Sequence, residues 1–510
     1  MKKLLYYLHG ILFAFAAPIS AYITDQIVTT HAAPHTVWRA VVFSEMFFVL
    51  SAILFLVLTR DHISASMIST FAVLGFFYTR DLFLPLVAIM ICSWLALSLV
   101  RKRYEISTAY GIATLLSIVM TFYYGGKIIL FSQSVPWDYE RSMANPIEIR
   151  SVSLTGSYKP DIYYIILDAY GGTEMLQKLH GYDNSEFTSA LAKRGFVVRP
   201  DSKSNYTRTL HSVGSSLNMQ YLDRVEEIMG TSYPWWPLQG TFAQNETRRF
   251  LESQGYKTVG IASGWSFTSI RDSSFYAQPY PIMLNEFERF FIQNTNLSLF
   301  GFLNNFGVSI PSYDTHRESI LYEFEKLKEI PIYESPKFVL VHIIAPHPPF
   351  VFDSDGRPIN PSYGYTIADN RYLITPPSAY EKGYLNQLTY VNKLVLDMVD
   401  AILQKSSDPP IIVIQGDHGP GNFIDSESQT PPCFFERYSI LNAYYLPDLS
   451  VDAIPPDITP VNSFRLIFDR YFSAGLELLP NRQYFSVPES VHQFVDVSDR
   501  INDACIFPAQ

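Results

Sequence analysis

Two apolar segments, far apart in the chain, end in side chains that can bind a metal ion. The first, KPDIYYIILD, ends at Asp168, and the second, IIVIQGDHG, contains Asp417 and His418. Each is a predicted buried strand, and α/β sheets bind ligands at the carboxyl ends of such strands. Carboxylate and imidazole groups bind divalent cations, so the two segments predict metal-assisted phosphoryl or sulfuryl chemistry. The alternative to a metal site is that Asp417-His418-Gly419 is only a turn that reverses the chain. The glycines beside these residues, however, would also let a ligand approach the backbone closely.

The elements that must position these side chains alternate between strand-like and helix-like segments from residue 161 onward. Apolar runs separated by amphipathic helices predict an α/β domain with a mostly parallel sheet, covered by helices on both faces. The predicted strands are 161–168, 257–262, 337–343, 411–415 and 439–446. The predicted helices are 184–194, 210–222, 242–255, 317–330, 380–404 and 463–472.

The N-terminal part of the chain is apolar enough to predict an α-helical membrane bundle of five spans. The predicted spans are 4–23, 37–58, 63–78, 82–100 and 107–131. A cleaved signal peptide is the alternative interpretation of the first span. We therefore expect transmembrane helices at 1–131, a juxtamembrane linker at 132–158 and a catalytic domain at 159–510.

Basic residues orient the predicted spans, because cytoplasmic loops are enriched in Lys and Arg. Five spans with the N-terminus inside place six basic residues in the cytoplasm and two, Arg39 and Arg80, near the outer surface. The six are Lys2, Lys3, Arg60, Arg101, Lys102 and Arg103. This topology places the catalytic domain outside the cytoplasm, whereas four spans would reverse it.

Composition narrows the function classes further. The net charge is −10, and no basic stripe is present, which argues against a nucleic-acid partner. Three cysteines are too few for a disulfide scaffold. Cys433 and Cys505 could pair if their domain is extracytoplasmic.

The order and separation of the two motifs resemble the alkaline phosphatase superfamily, particularly its membrane-anchored, sulfatase-like branch. That branch includes lipoteichoic acid synthases and phosphoethanolamine transferases, which have five spans and an external catalytic domain. The resemblance implies a nucleophile at a helix start roughly forty residues after the first acidic ligand. In the window SNYTRTLHSVGSSLN, Thr209 lies 41 residues after Asp168 and precedes an apolar-periodic stretch. Thr207 and Ser212 are fallback nucleophiles, and a helix cap is the alternative role of Thr209.

By the same resemblance, Asp168, Thr209, Asp417 and His418 would hold one divalent metal, Zn²⁺ or Mn²⁺. The metal would lower the pKa of the Thr209 hydroxyl and make it reactive near neutral pH. Some members of the superfamily hold a second metal through an Asp and two His. His342, His347 and His492 could imitate that set, but the Asp-x-x-x-His spacing is missing, so we expect one metal.

Four further residues are candidate substrate-binding groups. The segment HIIAPHPPF contains His342 and His347, and the resemblance implies that His347 binds the transferred group or stabilises the leaving oxygen. Arg208 could pair with an anionic substrate, and Asn205 could donate a hydrogen bond to it. Local structural roles for these residues are the alternative.

A sulfatase would need a Cys or Ser within a Cys/Ser-x-Pro/Ala-x-Arg motif, which the nucleophile window lacks. We therefore expect a metal-dependent phosphotransferase that moves a phospholipid head group, of the phosphoglycerol or phosphoethanolamine type, onto a cell-surface glycan or lipid through a phospho-threonine intermediate. Alternatives are a periplasmic phosphodiesterase or phosphatase, and a catalytically inactive membrane scaffold. The expected location is a bacterial-type inner membrane, in a multi-pass arrangement. The aromatic stretches 233–237 and 275–306 could face the bilayer or pack against the membrane helices or the core.

Overall fold

The computed structural model describes residues 2–25, 32–78, 107–133, 159–230, 235–367, 374, 376–423, 433–487, 490–503 and 505. The chain divides into two compact units. The first unit comprises Met1–Trp137 together with Tyr280–Pro311 and is here called the membrane unit after the spans predicted in it. The second comprises Asp138–Pro279 together with Ser312–Gln510 and is here called the catalytic unit after the predicted catalytic domain. The predicted linker, apart from its first two residues, lies outside the described part of the chain.

The helices and strands follow each other in the order of an α/β protein preceded by an apolar helical region. The described helices are α1 (Lys2–Leu5), α2 (Leu8–Asp25), α3 (Trp38–Thr59), α4 (His62–Phe77), α5 (Ser107–Gln133), α6 (Thr173–His180), α7 (Ser185–Lys193), α8 (Thr209–Asn218), α9 (Asp223–Met229), α10 (Gln239–Ala243), α11 (Glu246–Ser253), α12 (Glu286–Gln293), α13 (Tyr313–Glu329), α14 (Pro377–Lys405), α15 (Phe434–Tyr438) and α16 (Ser463–Phe472). The described strands are β1 (Ile162–Leu167), β2 (Val197–Val198), β3 (Lys257–Ile261), β4 (Phe275–Ala277), β5 (Lys337–Ile343), β6 (Ile411–Gly416), β7 (Asn442–Tyr445), β8 (Tyr484–Phe485) and β9 (Val495–Asp496).

Among the described residues of the membrane unit, three helical stretches are long and apolar enough to cross a membrane, namely Lys3–Thr24, Pro34–Thr59 and Tyr110–Ser132. The helix His62–Phe77 is apolar but shorter. These helices coincide with four of the five predicted spans. The remaining predicted span, 82–100, lies outside the described residues.

Contacts at both ends of the helices give their directions. The ring of His9 lies 4.7 Å from that of Tyr110, and Tyr22 lies 6.2 Å from Phe131, so α2 and α5 run parallel. Ser66, early in α4, donates to the carbonyl of Tyr6, and Tyr78 at the end of α4 donates to that of Phe13, so α4 is also parallel to α2.

The helix α3 runs the opposite way. Ser44 donates to the carbonyl of Ala14 at 2.6 Å, and Phe48, further along α3, lies against Gly10, earlier in α2. The C-termini of α2 and α4 therefore lie at the same end of the bundle as the N-terminus of α3.

The catalytic unit is built on a seven-stranded sheet in the order β2-β7-β6-β1-β5-β3-β4. The strands β6, β1, β5, β3 and β4 are parallel, whereas β7 pairs antiparallel with β6 and with β2. This confirms the predicted mostly parallel sheet. Alternate residues of β1 pack into two different cores, which explains why a strand covered on both faces has a continuous apolar sequence.

The centre of this sheet positions the candidate site. β1 lies between β5 and β6, and Leu167, its last residue, is in register with Ile343 of β5 and Gly416 of β6. The residues that follow these three strands therefore emerge side by side at the carboxyl edge. One face there is covered by α8, which begins at Thr209.

Candidate metal centre

Three of the predicted ligands converge at this edge. One ligand atom each from Asp168, Asp417 and His418 lie within 4.8 Å of one another, and all three side chains are buried. His418 Nε2 is 3.3 Å from Asp417 Oδ2 and 3.7 Å from Asp168 Oδ1. Two carboxylates and an imidazole at this separation form a donor set that a single cation can bridge.

Backbone turns hold these side chains in place. Asp417 Oδ1 accepts from the backbone N–H of Ala169 at 3.0 Å and from that of His418 at 2.9 Å, so one carboxylate cross-links the turns after β1 and β6. A Cβ atom at Gly416 would lie 2.3 Å from the carbonyl oxygen of Tyr170, and one at Gly419 would lie 1.9 Å from that of Glu436. Both glycines of the second motif are thus required by close backbone packing.

One oxygen of each carboxylate is available to bind a cation. Asp168 Oδ1 and Asp417 Oδ2 are buried and make no hydrogen bond, although buried carboxylates ordinarily have partners. His418 Nδ1 lies 3.0 Å from the carbonyl oxygen of Gly419, to which it donates, and this leaves the Nε2 lone pair facing the carboxylates. A divalent cation would satisfy all three groups, and this oxygen and nitrogen set suits Zn²⁺ and Mn²⁺ alike.

The pKa shifts of the three side chains are also consistent with a cation site. Burial and the neighbouring charge of Asp168 raise the pKa of Asp417 to about 6. Burial opposes ionisation of Asp168, but His347, His342 and His418 together hold the pKa of that carboxyl below its ordinary value. Burial, followed by the charge of Arg437, lowers the pKa of His418 well below its ordinary value and keeps the ring neutral, as a metal ligand must be.

The predicted nucleophile, Thr209, is next to this cluster. It is the first residue of α8, it is buried, and its Oγ1 lies 3.3 Å from His418 Nε2. The N-cap residue of α8 is Arg208, and its side chain makes no capping hydrogen bond, so Thr209 does not occupy the capping position. Of the fallback residues, Ser212 donates to the carbonyl of Asp417 at 2.6 Å and so has a positioning contact of its own.

The two histidines of HIIAPHPPF both lie around Asp168. His342 Nε2 is 3.3 Å from Asp168 Oδ2, and its Nδ1 is 3.0 Å from Thr268 Oγ1. The backbone N–H of His347 donates to the carbonyl of Asp168 at 3.0 Å, and its ring centroid is 6.5 Å from that of His418. The carboxyl end of β5 therefore supplies two imidazoles to the rim of the cluster.

The remaining predicted residues have other surroundings. The guanidinium of Arg208 lies over the ring of Trp235 at 5.5 Å. The amide of Asn205 donates to the carbonyl of Arg482 at 2.8 Å and accepts from the backbone N–H of Val461 at 2.9 Å, so both of its ends hold backbone groups. His492 Nδ1 lies 3.3 Å from His211 Nε2, which places it beside α8 instead of beside the other two histidines.

Arg437 is a residue of the site that the sequence did not reveal. Its Nε donates to the carbonyl of Thr207 at 2.9 Å, Nη1 donates to that of Gly419 at 3.0 Å, and Nη2 lies 3.2 Å from His418 Nε2. In sequence, Arg437 lies just before the predicted strand 439–446, whereas the strand β7 starts only at Asn442. Its contacts arise from tertiary packing, so no local pattern indicates them.

The short helix α15, which carries Arg437, is anchored on both sides. Cys433 immediately precedes it and forms a disulfide with Cys505. Glu436 accepts from the backbone N–H of Phe423 at 3.0 Å and lies 3.4 Å from His180 Nε2. Burial would lower the pKa of His180, but the neighbouring Glu436 and Glu381 raise it above the ordinary value, whereas burial raises the pKa of Glu436.

Comparisons with known proteins place the chain in a family. The sequence pattern of the sulfatase family matches residues 160–431, which contain Asp168, Thr209, Asp417 and His418. The chain therefore belongs to the sulfatase family, a family of enzymes in the alkaline phosphatase-like superfamily, and the predicted superfamily is confirmed. A search of curated proteins found no match.

Several solved structures are similar to this chain at low identity. The C-terminal periplasmic domain of EptC from Escherichia coli, in complex with Zn, is 13% identical and covers 70% of this chain and 98% of its own, with a TM-score of 0.45. The integral membrane lipooligosaccharide phosphoethanolamine transferase EptA from Neisseria meningitidis is 10% identical and covers 91% and 95%, with a TM-score of 0.43. The phosphonate monoester hydrolase of Agrobacterium radiobacter is 13% identical and covers 64% and 75%, with a TM-score of 0.40.

Proposed function

We propose that this sulfatase-family enzyme is a metal-dependent phosphotransferase that moves the head group of a membrane phospholipid onto a surface glycan or lipid. The observation that carries the proposal is the hydroxyl of Thr209, which lies 3.3 Å from His418 Nε2 beside two buried carboxylates with unpartnered oxygens. Threonine cannot be matured to the formylglycine of sulfatases, so this nucleophile favours transfer of phosphorus over hydrolysis of sulfate esters.

The proposed reaction has two balanced steps. Thr209 Oγ1 forms a bond to phosphorus, the bond from phosphorus to the lipid glycerol oxygen breaks, and diacylglycerol leaves with the proton that the threonine gave up. An acceptor hydroxyl then forms its own bond to phosphorus, Thr209 is released, and the acceptor's proton returns to it. A divalent ion held by Asp168, Asp417 and His418 would lower the pKa of the attacking hydroxyl and offset the charge on the phosphoryl oxygens.

Groups around the cluster can hold the phosphoryl group during these steps. Thr209 starts α8, and the first backbone N–H groups of a helix have no partners within it, which makes helix starts suitable for binding anions. Arg437 Nη2 lies within hydrogen-bonding distance of His418 Nε2. A bound metal ion would take the lone pair of that nitrogen and leave Arg437 Nη2 available to another acceptor. We propose that Arg437 then donates to a phosphoryl oxygen, and that His347 and His342 lie toward the leaving group.

The proposed location is a bacterial-type inner membrane, with five crossings and an extracytoplasmic catalytic unit. The helices α4 and α5 run in the same direction, which supports an odd number of crossings, and the predicted span 82–100 is long enough to cross a membrane. The disulfide between Cys433 and Cys505 supports an oxidising compartment for the catalytic unit. A lipid donor is favoured because the membrane helices keep the enzyme at the bilayer surface.

Intact-mass spectrometry tests the proposal. The purified chain, loaded with Zn²⁺ or Mn²⁺ and incubated with vesicles of phosphatidylethanolamine or phosphatidylglycerol, should gain the mass of one phosphorylated head group. The adduct should be absent from Thr209→Ala and present in the matched control Thr207→Ala. Full lipid turnover by Thr209→Ala would show that the nucleophile is wrong.

The same experiment separates the proposed transferase from the other candidates. Addition of a glycan acceptor should discharge the adduct faster than water alone does. Discharge by water at the same rate would instead identify a phosphodiesterase. Neither an adduct nor turnover in the metal-loaded chain would favour an inactive scaffold.

A further inference from the structure

Residues 280–311 form a closed excursion from the catalytic sequence into the membrane unit. The excursion, here called the inserted segment, leaves the catalytic unit after β4 and returns to it just before α13. Ile282 and Val308 pair at its base, where the N–H of Ile282 donates to Gly307 and that of Ser309 donates to Ile282. These backbone contacts hold the two ends of the inserted segment together.

The first half of the inserted segment, with α12, docks on helix ends of the membrane unit. Glu288 forms an ion pair with Arg39 at 2.7 Å, and Asn285 donates to the carbonyl of Thr36 at 3.1 Å. Phe287 contacts Tyr22 with ring centroids 5.5 Å apart, and Phe291 stacks on Phe77 at the same distance. Of the two interpretations of this aromatic stretch, packing against the membrane helices therefore describes α12.

These contacts place the inserted segment at one end of the helical bundle. Tyr22 is near the C-terminus of α2, Thr36 and Arg39 surround the N-terminus of α3, and Phe77 ends α4. By the helix directions given above, these three ends lie on the same side. In the proposed topology this is the outer side of the membrane.

The second half of the inserted segment continues along that end as a 3₁₀-helix, Asn296–Phe306. Asn296 donates to the carbonyl of Gly75, two residues before α4 ends, at 2.9 Å. Phe302 lies six residues further on, which is at most about 12 Å along a 3₁₀-helix. The helix therefore stays near the depth at which the membrane helices leave the apolar core.

Two aromatic side chains of this helix are largely exposed. Phe302 is 54% exposed and Phe306 is 73% exposed, and their rings meet edge to face at 6.4 Å. Helices that lie in a membrane interface bury Phe side chains such as these at the boundary between headgroups and acyl chains. At the N-terminal end of α3, Trp38 and Val42 are exposed as well.

We propose that the 3₁₀-helix of the inserted segment is a lipid-contact surface, which inserts Phe302 and Phe306 among the headgroups of the outer phospholipid leaflet. It would attach the catalytic sequence to the bilayer at a point other than the chain connection after α5. The contact follows from the packing of the membrane unit and rests on the proposed topology, but it does not depend on the proposed reaction. The ligand is phospholipid in a bilayer, recognised through its interfacial region and not through a particular head group.

Photolabelling tests this surface. The full chain is reconstituted in vesicles that contain phosphatidylethanolamine with a diazirine near the headgroup, irradiated and mapped by mass spectrometry. Peptides containing 296–306 should be labelled roughly tenfold more than those around Ile332 and Val495, because interfacial aromatics contact lipid directly. These two controls are exposed apolar residues of the catalytic unit, 75% and 61% exposed.

Two variants serve as controls for the photolabelling experiment. Phe302→Ser combined with Phe306→Ser should remove the labelling of this segment, while labelling of Trp38 and Val42, at the same end of α3, and the melting temperature stay unchanged. Thr209→Ala should be labelled like the unmodified chain, so a failure of the proposed reaction would not be mistaken for a failure of this contact. Strong labelling of α3 with background labelling of 296–306 would overturn the inference.

Discussion

Removing one charge from the metal cluster should stabilise the metal-free protein while it abolishes metal binding. The substitution is Asp417→Asn, which keeps the size and shape of the side chain. An Asn Oδ1 can still accept from the backbone N–H groups of Ala169 and His418, as Asp417 Oδ1 does. Its amide nitrogen would take the place of Oδ2, 3.3 Å from His418 Nε2, and could donate to that lone pair.

The size of the effect follows from the pKa of Asp417. Burial and Asp168 raise it from 3.8 to about 6. A shift of this size corresponds to about 3 kcal/mol of unfavourable interaction for the ionised carboxylate. Since the folded-state pKa is raised, this cost is absent below pH 4 and fully present above pH 6, where the unfolded chain ionises freely. Asp417→Asn should therefore raise the melting temperature of the metal-free protein by on the order of 5 °C at pH 8, and by much less at pH 4.5.

Thermal unfolding of the detergent-solubilised full chain, followed by tryptophan fluorescence after chelation, measures this directly. Added Zn²⁺ or Mn²⁺ should raise the melting temperature of the unmodified chain and leave that of Asp417→Asn unchanged.

The matched control is Asp161→Asn, which removes a carboxylate from its ion pair with the buried Lys337. It should lower the melting temperature, because it leaves a buried ammonium without its counter-charge. If Asp417→Asn also lowered the melting temperature at pH 8, or kept the metal-induced increase, the assignment of this cluster as a cation site would be wrong.

Three other predictions concern the surroundings of the cluster. Arg437→Met should weaken competitive inhibition by inorganic phosphate or vanadate roughly ten- to hundredfold while metal content, measured by plasma mass spectrometry, stays unchanged; equal inhibition would exclude a phosphoryl contact. Because the pKa values of His180 and Glu436 are both raised, the folded state holds protons that the unfolded chain releases, so the stabilising effect of His180 is lost as pH rises through its raised pKa. His180→Gln should accordingly lower the melting temperature more at pH 5.5 than at pH 9, and a pH-independent decrease would contradict the reasoning. Cys505→Ser, which opens a bridge between residues 72 apart, should destabilise the catalytic unit by roughly 4 kcal/mol in denaturant unfolding, and a reducing agent should affect only the unmodified chain.

The central strands and the proximity of Asp168, Asp417 and His418 could be predicted from the sequence because local pattern and tertiary position coincide there. A strand buried on both faces must be apolar throughout, so β1 and β6 are recognisable as runs that end in Asp168 and in Asp417-His418. Parallel neighbours bring such ends to one edge. The sequence predicted these strands, whereas the short strands β2, β4, β8 and β9 are too brief to produce a pattern.

Features that depend on long-range packing could not be predicted. The role of Arg437 depends on the carbonyls of Thr207 and Gly419, which come to it from separate loops. The glycines Gly416 and Gly419 suggested close approach of a ligand, but in the structure the closest atoms are backbone carbonyls. The inserted segment is similar in composition to a buried loop, so only its contacts assign α12 to the membrane unit.

The helix α15 contacts both the segment before Thr209 and the segment after His418. The distance between these two side chains matters for the proposed reaction. Through Arg437 it holds the carbonyl of Thr207, two residues before the proposed nucleophile Thr209, and the carbonyl of Gly419, next to the proposed metal ligand His418. The N–H of Gly419 donates back to the carbonyl of Arg437 at 2.7 Å, so the contact is reciprocal. Any change that shifts α15 therefore moves the hydroxyl and the imidazole relative to each other. This is why we expect Cys505→Ser, remote in sequence from both motifs, to reduce the turnover rate as well as stability, and to do so more than it reduces metal affinity.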